Sequence, residues 1–188
     1  MIGNKLHGHY RAQGVTAAGL FGANAILLSA RWGDTHRFCV IERVRVAALV
    51  TAAVTGQRID PLTLSVQRGY TANESAGFAS FLPTGISGRS FLAHAASSLA
   101  QLAVASAVAG ISGGTRNADQ SPIGQVALMN LAAIGSGLAD DFFCFDSRST
   151  HPLTLSKDEG FTVSFGGTAL ATGAIVFSFI VDWAEVGN

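Results

Sequence analysis

The chain is 188 residues long, with 12 basic and 12 acidic side chains and no formal net charge. Only 13% of its residues are charged, against about 25% in ordinary soluble domains, and mean hydropathy is +0.37. That length predicts one domain able to stabilise itself without disulfide or metal. The scarcity of charge excludes a surface covered by ionised groups, leaving a membrane or burial against partner subunits.

In chain order, residues 1–22 are rich in Gly and Ala and read as an irregular N-terminal arm. "AILLSARW" (25–32) reads as a short strand and "GDTH" (33–36) as a turn. Residues 37–50 alternate. Phe38, Val40, Val44 and Val46 are placed on one face and Arg43 and Arg45 on the other, with Glu42 breaking the apolar side. "TGQRIDP" (55–61) is expected to be a loop. "LTLSVQR" (62–68) is a half-exposed strand with Leu62, Leu64 and Val66 inward. Residues 69–77 form a turn-rich loop, 78–83 a short extended piece and 84–90 another loop.

The Ala/Leu-rich stretch 91–110 favours a helix by propensity, although small residues at a packed subunit surface give the same composition. A long polar loop is expected at 110–124, a short strand or helix at 125–137, and a packed aromatic segment at "DDFFCFD" (140–146). Residues 151–165 read as extended chain, a turn at Lys157–Gly160, then a strand with Phe161, Val163 and Phe165 on one side. "GGTALATG" (166–173) is read as a hairpin connection into a final strand. There Ile175, Phe177, Phe179, Val181 and Trp183 alternate with Ala174, Val176, Ser178, Ile180 and Asp182. Apolar on both faces at Val176 and Ile180, this strand is expected in the middle of a sheet. Seven or eight strands without βαβ alternation predict an all-β sandwich, the jelly roll being the specific candidate, with an arm at 1–22 and a single domain at 23–188.

No stretch is a clean apolar span of about 20 residues, and the opening "MIGNKLHGHYRAQG" has no continuous apolar core. Cytosolic synthesis followed by assembly is therefore expected, with no membrane partner. Cys39 and Cys144 are read as reduced, buried, small hydrophobes. Residues 1–94 carry nine basic and four acidic side chains, and 95–188 carry three and eight. Either the halves occupy different faces and attract neighbouring copies, or they interleave in one sandwich and the imbalance vanishes.

Chemistry-bearing patterns are sparse. A phosphate-binding loop needs Gly-Lys-Ser/Thr, and neither Lys5 nor Lys157 follows glycine. His7 and His9 could share a metal but lack a third ligand. Asp140, Asp141 and Asp146 could hold calcium, which needs six to eight oxygens; a solvated strand edge explains them as well. His151, Asp158 and Glu159 could form an acid/base cluster, or a plain hairpin turn. "GISGG" lacks the strand that precedes a nucleophile elbow. Arg37, Arg43, Arg45 and Arg68, without interleaved aromatics, make a poor nucleic-acid strip. A glycan-binding module would need exposed aromatics from Trp32, Trp183, Tyr10 and Tyr70. No catalytic, cofactor or metal site is expected.

The segment 151–186 resembles the C-terminal signature of a family of tailed-bacteriophage virion structural proteins. The matching residues are His151, Pro152, Leu153, Leu155, Glu159, Gly160, Phe161, Trp183, Glu185 and Val186. "SARW" (29–32), "VIERVRV" (40–46) and "LTLSVQRGYTANESAG" (62–77) are similar to that family's earlier strands, while 91–137 match poorly. The resemblance implies a non-enzymatic β-sandwich in the virion, made in the host cytoplasm: a capsid decoration (cement) protein, or alternatively a tail or head–tail connector component. Its partners would be the major capsid protein or other virion subunits, and its own copies as a homo-oligomer, with a trimer suggested by capsid symmetry.

Overall fold

The structure is a computed structural model and describes residues 5–55, 59–82, 97–129, 133–145, 152–166 and 172–187. Among these there is no helix. Twelve strands follow one another: β1 (Lys5–Val15), β2 (Ile26–Trp32), β3 (Arg37–Ala52), β4 (Ile59–Ala72), β5 (Phe78–Ser80), β6 (Leu99–Ala105), β7 (Thr115–Ala118), β8 (Gly124–Met129), β9 (Gly137–Cys144), β10 (Leu153–Leu155), β11 (Glu159–Phe165) and β12 (Ala174–Gly187).

All pairings are antiparallel, and they nest. β1 pairs with β12, β2 with β11, β3 with β9 and β10, and β4 with β7 and β8. Two antiparallel sheets packed against each other in this way make a β-sandwich. The first sheet runs β1-β12-β3-β10, with β9 beside β10 along the same edge of β3. The second runs β5-β6-β2-β11-β4-β7, with β8 beside β7 along β4. β12 lies between β1 and β3, as its two-sided apolar pattern predicts. "GGTALATG" is not a hairpin: β11 and β12 belong to different sheets, so this stretch crosses between them, and residues 167–171 lie outside the described residues.

The core is filled from both inner faces. β12 contributes Ile175, Phe177, Phe179, Val181 and Trp183, and β11 contributes Phe161, Val163 and Phe165. Each such side chain stabilises by roughly 1.5–3 kcal/mol through removal from water. Trp183 stacks on Tyr10 at 5.3 Å and 14°, which ties β1 to the centre.

Several expectations need correction. Half of the predicted arm is β1, in which Gly8, Tyr10, Ala12 and Gly14 alternate inward. The helix considered at 91–110 gives way to β6, because Leu99, Gln101, Leu102, Ala103, Val104 and Ala105 are all buried; 91–96 lie outside the described residues. The 55–61 loop shortens, since β4 starts at Ile59, and β7 interrupts the polar loop at 110–124. On β3 the inward face changes parity. Cys39 and Ile41 point in before Glu42, and Val44, Val46, Ala48 and Val50 after it, so Phe38 and Val40 face outward. The register shift against β12 at Asp182/Trp183 places Glu42 in a bulge.

Charge does not separate by face. Arg11 and Arg43 meet Asp182, Arg37 meets Glu185, Arg31 meets Asp158, Arg68 meets Asp119 and Glu159, and Arg116 meets Glu74. Each pair joins the two halves of the sequence, so the imbalance is cancelled inside one chain.

Candidate functional site

The outer face of the second sheet is polar because its strands alternate. Thr63, Ser65 and Gln67 on β4, and Thr162 and Ser164 on β11, lie between the inward residues of those strands. Thr162 stands directly opposite Ser65, and the Gln67 amide donates to the Thr162 hydroxyl at 2.8 Å.

Part of this face is roofed by residues 69–77. Gly69, with φ +57°, sits in a bulge of β4, and the Tyr70 ring beyond it lies against Gly160 on the outer face. The Tyr70 ring fills the slot left by the absent side chain of Gly160, where a Cβ would lie 2.8 Å from Tyr70 Cδ1 and against the Ala30 carbonyl oxygen. Arg31 fastens the roof by donating to the carbonyls of Tyr70 (2.6 Å) and Thr71 (3.1 Å) and to Asn73 Oδ1 (2.9 Å). Gln101 completes the fastening, accepting from the Glu74 amide at 2.8 Å and donating to the Glu74 carbonyl at 3.3 Å.

Beneath the roof lies a buried carboxylate. Glu74 accepts from the Tyr70 hydroxyl (2.6 Å), from the Gly114 amide (2.8 Å) and from Arg116, with the Ser29 hydroxyl at 3.4 Å. Burial and the hydrogen bond to Glu74 push the Tyr70 phenol well up from its ordinary value. The guanidinium of Arg116 also lies 5.4 Å from the centre of the Tyr70 ring, a cation–π distance. Ser29, Tyr70, Glu74 and Arg116 thus form one satisfied network from three segments distant in sequence.

Beside the roof the sheet is open. A trough of about 390 Å³ is floored by Ser65, Gln67, Thr162 and Ser164 and walled by Asn24, Ile26, Gly114, Arg116 and Ala118. The wall is held on several sides: Ser75 and Ala76 donate to the Ser112 carbonyl, Ile111 donates to the Ile26 carbonyl, and β7 pairs with β4. The trough offers hydroxyls, amides and one guanidinium. Its lining contains no nucleophile paired with a general base.

The residues singled out in sequence are scattered. His9 Nδ1 lies 3.0 Å from Glu42 Oε1, and no group of three metal-ligating side chains occurs among the described residues. Asp140 and Asp141 are exposed on β9, while Asp146 and His151 lie outside the described residues. Asp158 occupies a turn with φ 60° and faces Arg31, and Glu159 accepts from the Ser156 amide at 2.8 Å and pairs with Arg68. The turn expected at Lys157–Gly160 is confined to Lys157 and Asp158: Glu159 and Gly160 already belong to β11, and because β10 and β11 lie in different sheets the turn is not a hairpin. Arg37, Arg43 and Arg68 are engaged by carboxylates in three separate places. Trp32, Trp183, Tyr10 and Tyr70 are all buried, so none of the four can stack on a ligand. Neither cysteine is in a disulfide, and only Cys39 is buried; Cys144 is exposed, opposite Arg43 on the outer face of the first sheet.

Neither the trough nor the Glu74 network was visible in sequence. Their members span residues 24–164 and are ordinary loop and strand types. The one local hint is "RGYTANE", where a glycine immediately precedes a tyrosine and a lone glutamate follows.

No protein-family model, no curated protein and no solved structure matches this chain.

Proposed function

We propose that this chain is a non-enzymatic structural component of a tailed-phage particle: a capsid decoration (cement) protein that binds the shell and its own copies through subunit contacts. The observation that carries the reading is how the charge is distributed. The scarce ionised groups are spent largely on intramolecular pairs. Meanwhile the outer face of the first sheet carries an uncovered apolar strip: Val15 (53% exposed), Leu49 (48%), and half-buried Ala47, Val176 and Ile180 on adjoining strands. Polar Ser178 and Gln13 interrupt this strip, but exposed apolar side chains gathered on one sheet face favour an interaction site. Jelly-roll β-sandwiches are also an architecture used in viral shells, an argument by analogy. A glycan module of the aromatic-stacking type is disfavoured by the burial of its four candidate anchors.

The test is the mass in solution. At about 1 µM, a concentration that dissociates weak contacts, sedimentation should give three times the 19.4 kDa chain. Val15→Lys with Leu49→Lys should give single chains with an unchanged circular dichroism spectrum. A parent monomer, or an oligomer indifferent to both lysines, would overturn the proposal. The position on the particle would be read from a cryo-EM map of the virion.

A further inference from the structure

We propose that the trough on the second sheet is a binding site for a neutral saccharide unit, held by hydrogen bonds without aromatic stacking. Its volume of about 390 Å³ falls within the roughly 300–1,000 Å³ of small-ligand sites. Unlike most such sites it is floored by hydroxyls and amides, which suits a ligand that is itself mostly hydroxyl.

Same-face residues along a strand stand roughly 7 Å apart, and directly opposed residues about 5 Å apart. The hydroxyls of Ser65, Thr162 and Ser164 therefore cover an area the size of one pyranose ring. Each can donate and accept, as vicinal sugar hydroxyls require. Among the described residues, no side-chain hydrogen bond engages Ser65, Ser164 or Asn24, so their polar atoms are available.

Arg116 decides against an anion. Its charge is met from behind by Glu74, which is wholly buried, so the trough gains donors without net positive charge. A buried ion pair is seldom the cheapest stabiliser of a fold. Here it fixes one guanidinium against a floor of hydroxyls, which is pre-organisation of a donor. Lacking a stacking ring, the site binds with a dissociation constant on the order of 1–10 mM per unit. A multi-copy assembly would raise this by avidity, but the single site does not depend on the assembly proposed above.

Saturation-transfer difference NMR on the full chain tests the idea with glucose, galactose, N-acetylglucosamine and rhamnose, each up to about 50 mM. Inorganic phosphate, followed by phosphorus line width, and glucuronate serve as charged arms. At least one neutral sugar should give a saturable signal. Ser65→Ala with Ser164→Ala should weaken it about 25-fold, roughly fivefold per lost hydroxyl, while the melting temperature holds. Thr63→Ala, on the same sheet face but outside the trough lining, should leave binding unchanged. Absence of saturation by all four sugars, binding confined to phosphate or glucuronate, or a double variant that binds like the parent would each overturn the proposal.

Discussion

Replacing Glu74 by Ala removes the acceptor on which four donors converge: the Tyr70 hydroxyl at 2.6 Å, the Gly114 amide at 2.8 Å, the Arg116 guanidinium and, at 3.4 Å, the Ser29 hydroxyl. The Arg116 side chain is only 13% exposed, so it cannot turn to water without opening the roof. Breaking a buried ion pair from one side costs about 3–5 kcal/mol. In a domain of this size that is a fall of roughly 10–15 °C in melting temperature. In urea, with a slope of about 2–3 kcal/mol/M, it moves the midpoint by about 1.5 M. Removing both charges together, as Glu74→Leu with Arg116→Met, should cost less than either single change, with a coupling of at least about 2 kcal/mol. The assay is urea unfolding followed by circular dichroism at one fixed chain concentration. A Glu74→Ala loss under about 1 kcal/mol, or additive single changes, would refute the claim that this network holds the roof down.

Three further outcomes are expected. Both tyrosines have raised phenol pKa values, Tyr70 by burial and its bond to Glu74, and Tyr10 by burial and the charge of Glu185. Tyrosinate absorbance at pH 10 should therefore be lower in the folded chain than in denaturant, where it is about half-maximal. The stability tied to the neutral phenols is complete below pH 10 and declines as pH rises through the folded values. With a thiol-reactive dye, exposed Cys144 should react at once and Cys39 only after unfolding, because burial also raises the Cys39 thiol pKa; two fast thiols in the folded chain would contradict this. Gly160→Ala should cost at least about 2 kcal/mol in thermal unfolding, since the new methyl must displace the Ala30 backbone or the Tyr70 ring.

The strands most easily read in sequence are those with one wet face. In β4, Leu62, Leu64 and Val66 alternate with Thr63, Ser65 and Gln67, and β11 and β12 carry the same signal through phenylalanines. β6 hid because it is buried on both faces, which leaves nothing to alternate and lets alanine and leucine imitate a helix. β1 hid because its inward positions are Gly8, Ala12 and Gly14, too small to register as a hydrophobic face; only Tyr10 marked it. Glu42 breaks the alternation within the sequence itself, but the effect of that break on the faces of β3 depends on the partner strand. The trough was illegible for another reason. Hydroxyls on β4 and β11 become neighbours only when the sheet topology lays those strands side by side, and no local spacing encodes that.

The nested pairing has a consequence for how this molecule is made. Arg11 waits 171 positions for its partner Asp182. Until β12 emerges, β1 and β3 each present a bare row of amides and carbonyls where the middle of a sheet will be. Such edges invite pairing with the wrong chain, and so many distant contacts slow their own closure. Nascent copies growing close together would be the most exposed to entanglement, and a slow or crowded synthesis would show it first as aggregate rather than as a misshapen monomer.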